Sequence, residues 1–121
     1  MIDLFIVIPC FNEEEVLEET SKQLLNKANK LMEEHIISKD SHVVFIDDGS
    51  KDSTWDMIKK MHCTNRLFTG LKLSRNRGHQ NALLAGLNYA NGKCDAVVSM
   101  DADLQDDIEA IDQFIDNYQE G

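Results

Sequence analysis

Four short apolar runs alternate with longer amphipathic segments along the chain. The runs cover residues 4–9, 42–46, 67–73 and 96–100, and they read LFIVIP, HVVFI, LFTGLKL and AVVSM. Continuous apolar runs of this length are typical of strands that are buried on both faces of a parallel sheet. The pattern therefore predicts four strands.

Helical periodicity follows each of these runs. Leu17, Leu24 and Leu31 lie on one stripe of a helix predicted over residues 14–34. Further helical patterns cover residues 54–61, 80–90 and about 107–118. A strand followed by a helix four times predicts an α/β fold with a Rossmann-like, doubly wound, mostly parallel sheet and right-handed crossovers. No linker or repeat divides the sequence, so residues 1–121 are predicted to form a single domain.

Charge and hydrophobicity narrow the choice of partners. Twelve Lys and Arg residues stand against 22 Asp and Glu residues, which gives a formal net charge of −10. This balance argues against a nucleic acid or an anionic membrane as a partner of the general surface. No run reaches the roughly 18 apolar residues of a membrane helix, and no signal-peptide pattern opens the sequence. We therefore expect a cytoplasmic domain.

Three cysteines, Cys10, Cys63 and Cys94, are far apart and form no CxxC pair. This spacing favours reduced thiols over a disulfide framework or a zinc site. Cys10 directly follows the first apolar run, where it is either a nucleophile or, more simply, a small buried packing residue.

The residues after each strand are the most informative, because ligands of such sheets bind beyond the carboxyl ends of the strands. These segments read PCFNEEE, DDGSKDST, SRNRGHQN and DADLQDD. Helix capping accounts for part of their polarity. The candidate caps are Asn12, Ser50, Asp52 and Asp106 or Asp107.

Capping does not account for Asp47 with Asp48, or for Asp101 with Asp103, because one side chain suffices per helix start and neighbouring carboxylates repel. A cation is expected between them. In an extended chain the carboxylates of Asp101 and Asp103 would point to the same side. All-oxygen ligands favour Mg²⁺ or Mn²⁺, which would also let an acidic protein hold a diphosphate.

The third strand ends in positive charge. Arg75 and Arg77, followed by Gly78, precede a helix whose N-terminus could face an anion, although solvated surface arginines explain them equally well. His79 could act as an acid or base, or it could cap or pack the first turn of that helix.

Taken together, IVIPCFNEEEVL, VVFIDDGSKDST, LSRNRGHQNALLAGL and VVSMDADLQDD resemble, in order and spacing, the nucleotide-binding half of family 2 inverting glycosyltransferases with the GT-A fold. The DADLQD and GHQNALLAGL segments are most similar to the polyprenyl-phosphate sugar transferases, the group of dolichol-phosphate mannose synthase. The resemblance covers nearly the whole chain. A lone DxD would be weak support, whereas four motifs in order are strong.

The resemblance implies roles for individual residues. Pro9, Phe11 and Glu13 would line a nucleotide pocket, and Asp101 and Ala102 would contact the nucleotide as well. The residues that would hold the base and ribose are Ile46 and Asp48, with Asp47 as a less certain neighbour. Arg75 would approach the base or diphosphate, and the ligands of Mg²⁺ or Mn²⁺ would be Asp103 and Gln105, together with Asp101.

The resemblance also implies a reaction. Such enzymes transfer a sugar from a nucleoside diphosphate sugar to a polyprenyl phosphate or other glycan acceptor in one inverting step. A UDP-sugar is favoured, with GDP-mannose as the other option. The family domain continues into acceptor-binding, catalytic and membrane-associated segments. We therefore expect this chain to be an N-terminal portion, with the catalytic residues beyond Gly121 and the complete enzyme at the cytoplasmic face of the membrane.

Other readings remain at this stage. A fragment that binds nucleotide or metal without transferring sugar is the main alternative, and the exposed apolar surface of a fragment would favour a homodimer. A haloacid-dehalogenase-type phosphatase and a receiver domain are disfavoured, because both place their acidic motif after the first strand, where this chain has PCFNEEE.

Overall fold

A computed structural model describes residues 1–103 and 108–120, without the side chains of residues 119 and 120. Strands and helices alternate in the predicted order. The elements are β1 (Leu4–Cys10), α1 (Leu17–Glu33), β2 (His42–Asp47), α2 (Thr54–Thr64), β3 (Phe68–Lys72), α3 (His79–Ala90), β4 (Ala96–Ser99) and α4 (Ala110–Glu120).

The four strands form one parallel sheet in the order β3-β2-β1-β4. Val7 pairs with Val44 on one side and with Ser99 on the other, which places β1 in the interior of the sheet. All seven residues of β1 are buried, as its unbroken apolar run predicts. The chain leaves β1 towards β2 and β3 and returns on the other side to β4, so the strand order reverses between β1 and β4.

Helices cover both faces of the sheet, which confirms the predicted doubly wound α/β fold. On one face, α1, α2 and α4 contribute Leu24, Ile58 and Ile111 to a core cluster with the side chains of alternate strand positions. On the other face, α3 places Ala82 and Ala90 against a second cluster.

Gly86 explains how closely α3 approaches the sheet. A Cβ atom at this position would lie 2.4 Å from Cγ1 of Val7 and 2.6 Å from Cδ1 of Ile46. Small residues on the inner side of α3 therefore let the helix backbone pack directly on β1 and β2.

Several helix boundaries differ from the sequence prediction. Helix α1 begins at Leu17 rather than near residue 14, because the backbone N–H groups of residues 12–14 donate hydrogen bonds to side chains that follow β2. Helix α2 extends to Thr64 and α4 begins at Ala110. Among the described residues, no helix combines the length and apolar composition needed to cross a membrane.

Candidate functional site

A cleft of about 350 Å³ lies where the strand order reverses, at the carboxyl ends of the strands. The residues that line it are Pro9, Cys10, Phe11, Glu13, Asp48, Asn76, Gly78, His79, Asp101, Ala102 and Asp103. Residues from all four strand ends thus meet at one place. A smaller cavity of about 160 Å³ adjoins it and shares Pro9, His79 and Asp101.

The loop after β1 is joined to the loop after β2 by reciprocal hydrogen bonds. The backbone N–H of Asn12 donates to Oγ of Ser50 at 2.8 Å, and the N–H of Lys51 donates to Oδ1 of Asn12 at 2.9 Å. Asn12 has a φ of 53°, a conformation that asparagine tolerates better than most residues. The prediction that Asn12 and Ser50 cap helices is wrong, since their side chains bond across the two loops instead.

Two further bonds hold Glu13 and Glu14 in place. The N–H of Glu13 donates to Oγ1 of the buried Thr54 at 2.8 Å, and the N–H of Glu14 donates to Oδ2 of Asp52 at 3.3 Å. Asp52 also accepts from the N–H and the hydroxyl of Thr54, at 2.9 and 2.5 Å, at the start of α2. Burial raises the pKa of Asp52, but hydrogen bonds from Thr54 and from backbone amides outweigh it and leave the pKa below its usual value.

Asp48 fixes the third loop. Its two carboxylate oxygens accept from the backbone N–H groups of Arg77 at 2.7 Å and Gly78 at 3.1 Å. Gly49, with a φ of 74°, allows the turn to approach this loop, because a Cβ atom there would lie 2.4 Å from N of Asn76. Asp48 therefore lines the cleft and orders the loop that carries Arg75 and Arg77.

Asp47 and Ile46 lie deeper in the protein. Asp47 is fully buried. Its Oδ1 accepts from the N–H of Ser50 at 3.3 Å, while Oδ2 is buried and has no hydrogen-bond partner among the described residues. The Ile46 side chain is also fully buried, in the cluster beneath α3. Neither residue is among those that line the cleft.

Asp101 and Asp103 lie on the cleft wall and are exposed, whereas Ala102 between them is buried. Residues 102 and 103 form a turn, so the extended chain on which the same-side placement depended is not present, yet Asp101 and Asp103 both line the cleft. The Ala102 carbonyl accepts a hydrogen bond of 2.5 Å from the hydroxyl of Thr20 on α1. Gln105, Asp106 and Asp107, which were predicted as a metal ligand and as caps, lie outside the described residues.

Negative charge concentrates where β1 and β4 end. Burial raises the pKa of Glu13, and the charges of Asp103, Asp52 and Asp101 raise it further. These carboxylates are thus close enough to repel one another, although within residues 1–103 and 108–120 no group of three or more His, Cys, Asp or Glu is arranged to hold a metal by itself. The donor set still fits Mg²⁺ or Mn²⁺, since these ions commonly use one or two carboxylates and take further oxygens from a bound phosphate.

The basic residues are more peripheral. Arg75 and Arg77 are exposed on the third loop, and Arg75 is not among the residues that line the cleft. His79 is exposed at the first position of α3 and lines both the cleft and the adjoining cavity.

Cys10 has the environment of a packing residue. It is 2% exposed, and its thiol lies 3.6 Å from the Ile8 carbonyl. Burial, together with the nearby charges of Glu13 and Asp47, raises the pKa of its thiol far above the usual value. A thiol held protonated in this way is a poor nucleophile, which agrees with the packing interpretation.

Sequence reasoning missed two residues that shape the site, Thr20 and Thr54. Thr20 lies in the middle of a helical stripe and carries no local signal, because its partner is 82 positions away. Thr54 had a partial signal as the residue that begins α2, but its hydroxyl accepts from Glu13 on another loop.

The fold and the cleft define an α/β domain with a cleft at the switch point of a parallel sheet, where ligands of such sheets usually bind. The sequence model of Glycosyl transferase family 2 matches residues 5–121, and the chain belongs to this family.

Curated relatives match almost all of the chain. An uncharacterized glycosyltransferase of Bacillus subtilis, YkoT, is 55% identical over 118 residues, which cover 98% of this chain and 35% of that protein. A prophage bactoprenol glucosyl transferase homolog of Escherichia coli is 40% identical, over 96% of this chain and 35% of that protein. The chain therefore spans about a third of the length of these relatives.

Solved structures share the GT-A fold. The mannosyltransferase PcManGT of Pyrobaculum calidifontis, in complex with GDP-Man and Mn²⁺, superposes with a TM-score of 0.69 at 23% identity, over 84% of this chain and 28% of that chain. TarS residues 1-349 of S. aureus in complex with UDP-GlcNAc gives a TM-score of 0.66 at 21% identity, over 97% of this chain and 32% of that chain.

Proposed function

We propose that this chain binds the donor of a sugar-transfer reaction, a nucleoside diphosphate sugar, in the cleft at the ends of β1 and β4. The observation that carries the proposal is the pair of exposed aspartates, Asp101 and Asp103, on the cleft wall beside Glu13. Structural neighbours bound to GDP-Man and UDP-GlcNAc support this donor class. Bactoprenol glucosyl transferases among the relatives support the transfer of a sugar. A UDP-sugar is the favoured donor, and GDP-mannose is the other.

The donor's base and ribose are proposed to lie against Phe11, Glu13 and Asp48, with Pro9 at the base of the cleft. Because the side chain of Ile46 is enclosed in the core, any contact from that residue would be made by its backbone. Arg75 would reach a bound diphosphate or base from the edge of the third loop.

Asp101, Asp103 and Gln105 are the residues that we assign to a Mg²⁺ or Mn²⁺ ion. When bound, such an ion would stabilise the negative charge that develops on the departing diphosphate. Such a cation would also explain how a protein of net charge −10 could hold a polyanion. It would lie between the carboxylates of Glu13, Asp101 and Asp103 on one side and the diphosphate on the other.

The proposed reaction is a single displacement at the anomeric carbon of the sugar, with inversion and release of the nucleoside diphosphate. A polyprenyl phosphate, or another glycan, would be the acceptor. A phosphate oxygen is already anionic at neutral pH, so it needs no strong general base, and holding it in line would supply much of the rate. The complete enzyme is proposed to work at the cytoplasmic face of the membrane.

Calorimetric titration of the full chain tests this proposal. UDP-glucose, UDP and GDP would each be added with and without Mn²⁺ to the wild type, to Asp103→Ala and to Asp40→Ala. Asp40 is exposed in the turn before β2, at the amino end of that strand, whereas the cleft lies at the carboxyl ends. Its substitution therefore removes the same charge away from the cleft.

We expect nucleotide binding that requires Mn²⁺, is lost in Asp103→Ala and is retained in Asp40→Ala. The nucleotide that binds identifies the base. Absence of binding to a folded wild-type chain under all conditions would contradict the proposal for this chain. Transfer of sugar to an added polyprenyl phosphate would then identify a transferase rather than a module that only binds nucleotide.

A further inference from the structure

Thr20 makes a hydrogen bond that its position in a helix does not predict. It lies in α1, is 2% exposed, and its backbone N–H already donates to the carbonyl of Val16. A threonine hydroxyl inside a helix commonly bonds back to a carbonyl one turn earlier. Here it instead leaves the helix and donates to the carbonyl of Ala102 at 2.5 Å.

The acceptor lies at the centre of the aspartate pair. The last ladder bond of this segment runs from the N–H of Met100 to the carbonyl of Val7, at 3.0 Å. Past that point the chain turns, with Ala102 directed into the core beneath α1 and Asp103 exposed. The hydroxyl of Thr20 therefore holds the chain at the point where it leaves the sheet.

Fixing this carbonyl has a direct geometric consequence. The Ala102 carbonyl shares a planar peptide unit with the N and Cα atoms of Asp103. Holding the carbonyl oxygen thus restricts the rotation of that plane, and with it the direction in which the Asp103 side chain enters the cleft. A charged ligand site depends on such fixed directions, because reorganisation weakens binding.

We propose that Thr20 is a positioning residue for metal-dependent diphosphate binding: its hydroxyl sets the orientation of Asp103 by holding the carbonyl of Ala102. This role rests on the proposed function, since it assumes that Asp103 faces a cation and a diphosphate. Thr20 itself touches neither.

Two substitutions separate the hydroxyl from the bulk of the side chain. Thr20→Val removes the donor and keeps the shape, whereas Thr20→Ser keeps the donor. Ser21→Ala is the matched control, because Ser21 is the next residue of the same helix and its hydroxyl donates only within the helix, to the Glu18 carbonyl at 2.7 Å.

The first measurement is the rate of amide hydrogen exchange at Ala102 and Asp103, detected by NMR in the chain without ligand. The second is the affinity for UDP and GDP with and without Mn²⁺. Thr20→Val loses one hydrogen bond of ordinary strength. In this variant the two amides should exchange about fivefold faster, and nucleotide should bind about five- to tenfold more weakly in the presence of Mn²⁺. Thr20→Ser and Ser21→Ala should resemble the wild type in both measurements.

The outcomes distinguish the two proposals. If Thr20→Val is folded and matches the wild type in exchange and in Mn²⁺-dependent affinity, the positioning role is overturned. An equal loss of affinity with and without the metal also overturns it, since general loosening would then be the cause. A wild type that binds neither nucleotide contradicts the proposed function, and the exchange rates still decide whether Thr20 orders residues 102 and 103.

Discussion

Gly49 offers a sharp test of how the turn after β2 is built. Its φ is 74°, and a Cβ atom there would lie 2.4 Å from N of Asn76 and 2.7 Å from C of Arg75. Both atoms belong to the backbone, so no side-chain rotation relieves the contact. Gly49→Ala should therefore push the third loop away from the turn.

The magnitude follows from two separate effects. A left-handed φ costs a residue with a Cβ atom about 1–2 kcal/mol. Displacing packed neighbours costs about 1–3 kcal/mol more, by analogy with overpacked cores. Gly92 supplies the control, because its φ is 79° and no atom of residues 1–103 or 108–120 lies within 4 Å of a Cβ atom built there. Gly92→Ala should show only the first effect.

Equilibrium urea unfolding of the wild type and the two variants measures both free energies of unfolding. We expect Gly49→Ala to be less stable than Gly92→Ala by about 1–3 kcal/mol, with similar dependence on urea concentration. Equal losses in the two variants would refute the reasoning, since the close approach of the two backbones would then have no energetic consequence.

Three further predictions concern the same framework. Asp48→Asn replaces one of two charged acceptors with a donor that faces an N–H group. It should lower the free energy of unfolding, measured by urea titration, by about 1.5–3 kcal/mol. A loss below about 0.5 kcal/mol would contradict the assigned bonds. Gly86→Val should destabilise the packing of α3 on Val7 by about 1–3 kcal/mol, measured in the same way, and full stability would refute the close approach. Although burial raises the pKa of Asp52, hydrogen bonds hold it below its usual value of 3.8. The stability that these bonds contribute is therefore present above that pH and is lost as the pH falls through the lower, folded-state pKa. Asp52→Asn should be less stable than wild type at about pH 7 and should approach it only as the pH falls below the usual value, and a constant difference would contradict this sign.

The order of elements could be predicted from sequence because each strand is a continuous apolar run and each helix has an apolar stripe. Leu24 and Ile58 face the core as their periodicity indicates. The start of α1 could not be predicted in this way. The backbone N–H groups of residues 12–14 donate to Ser50, Thr54 and Asp52, and local propensity carries no information about partners roughly 40 residues away.

In the candidate site, too, the position of residues was predictable from sequence and their hydrogen-bond partners were not. Strand ends gather at one edge of a parallel sheet, so the meeting of Glu13, Asp48, Asp101 and Asp103 at one cleft was predictable. What each carboxylate bonds to was not. A cation was expected beside Asp48, yet backbone N–H groups of the loop after β3 already donate hydrogen bonds to both of its carboxylate oxygens.

This difference between the two acidic segments bears on where a cation would act. At the end of β2, the Asp47 carboxylate is buried and the Asp48 carboxylate accepts hydrogen bonds from backbone amides, so both stabilise the loops. At the end of β4, Asp101 and Asp103 are exposed on the cleft and raise the pKa of Glu13 across from them. A positive charge that entered the cleft would offset this repulsion, and the same charge would attract a diphosphate. Two aspartate pairs that look equivalent in sequence therefore differ in their surroundings: the pair after β2 is buried or bonded to loop amides, whereas the pair after β4 is exposed on the cleft beside Glu13.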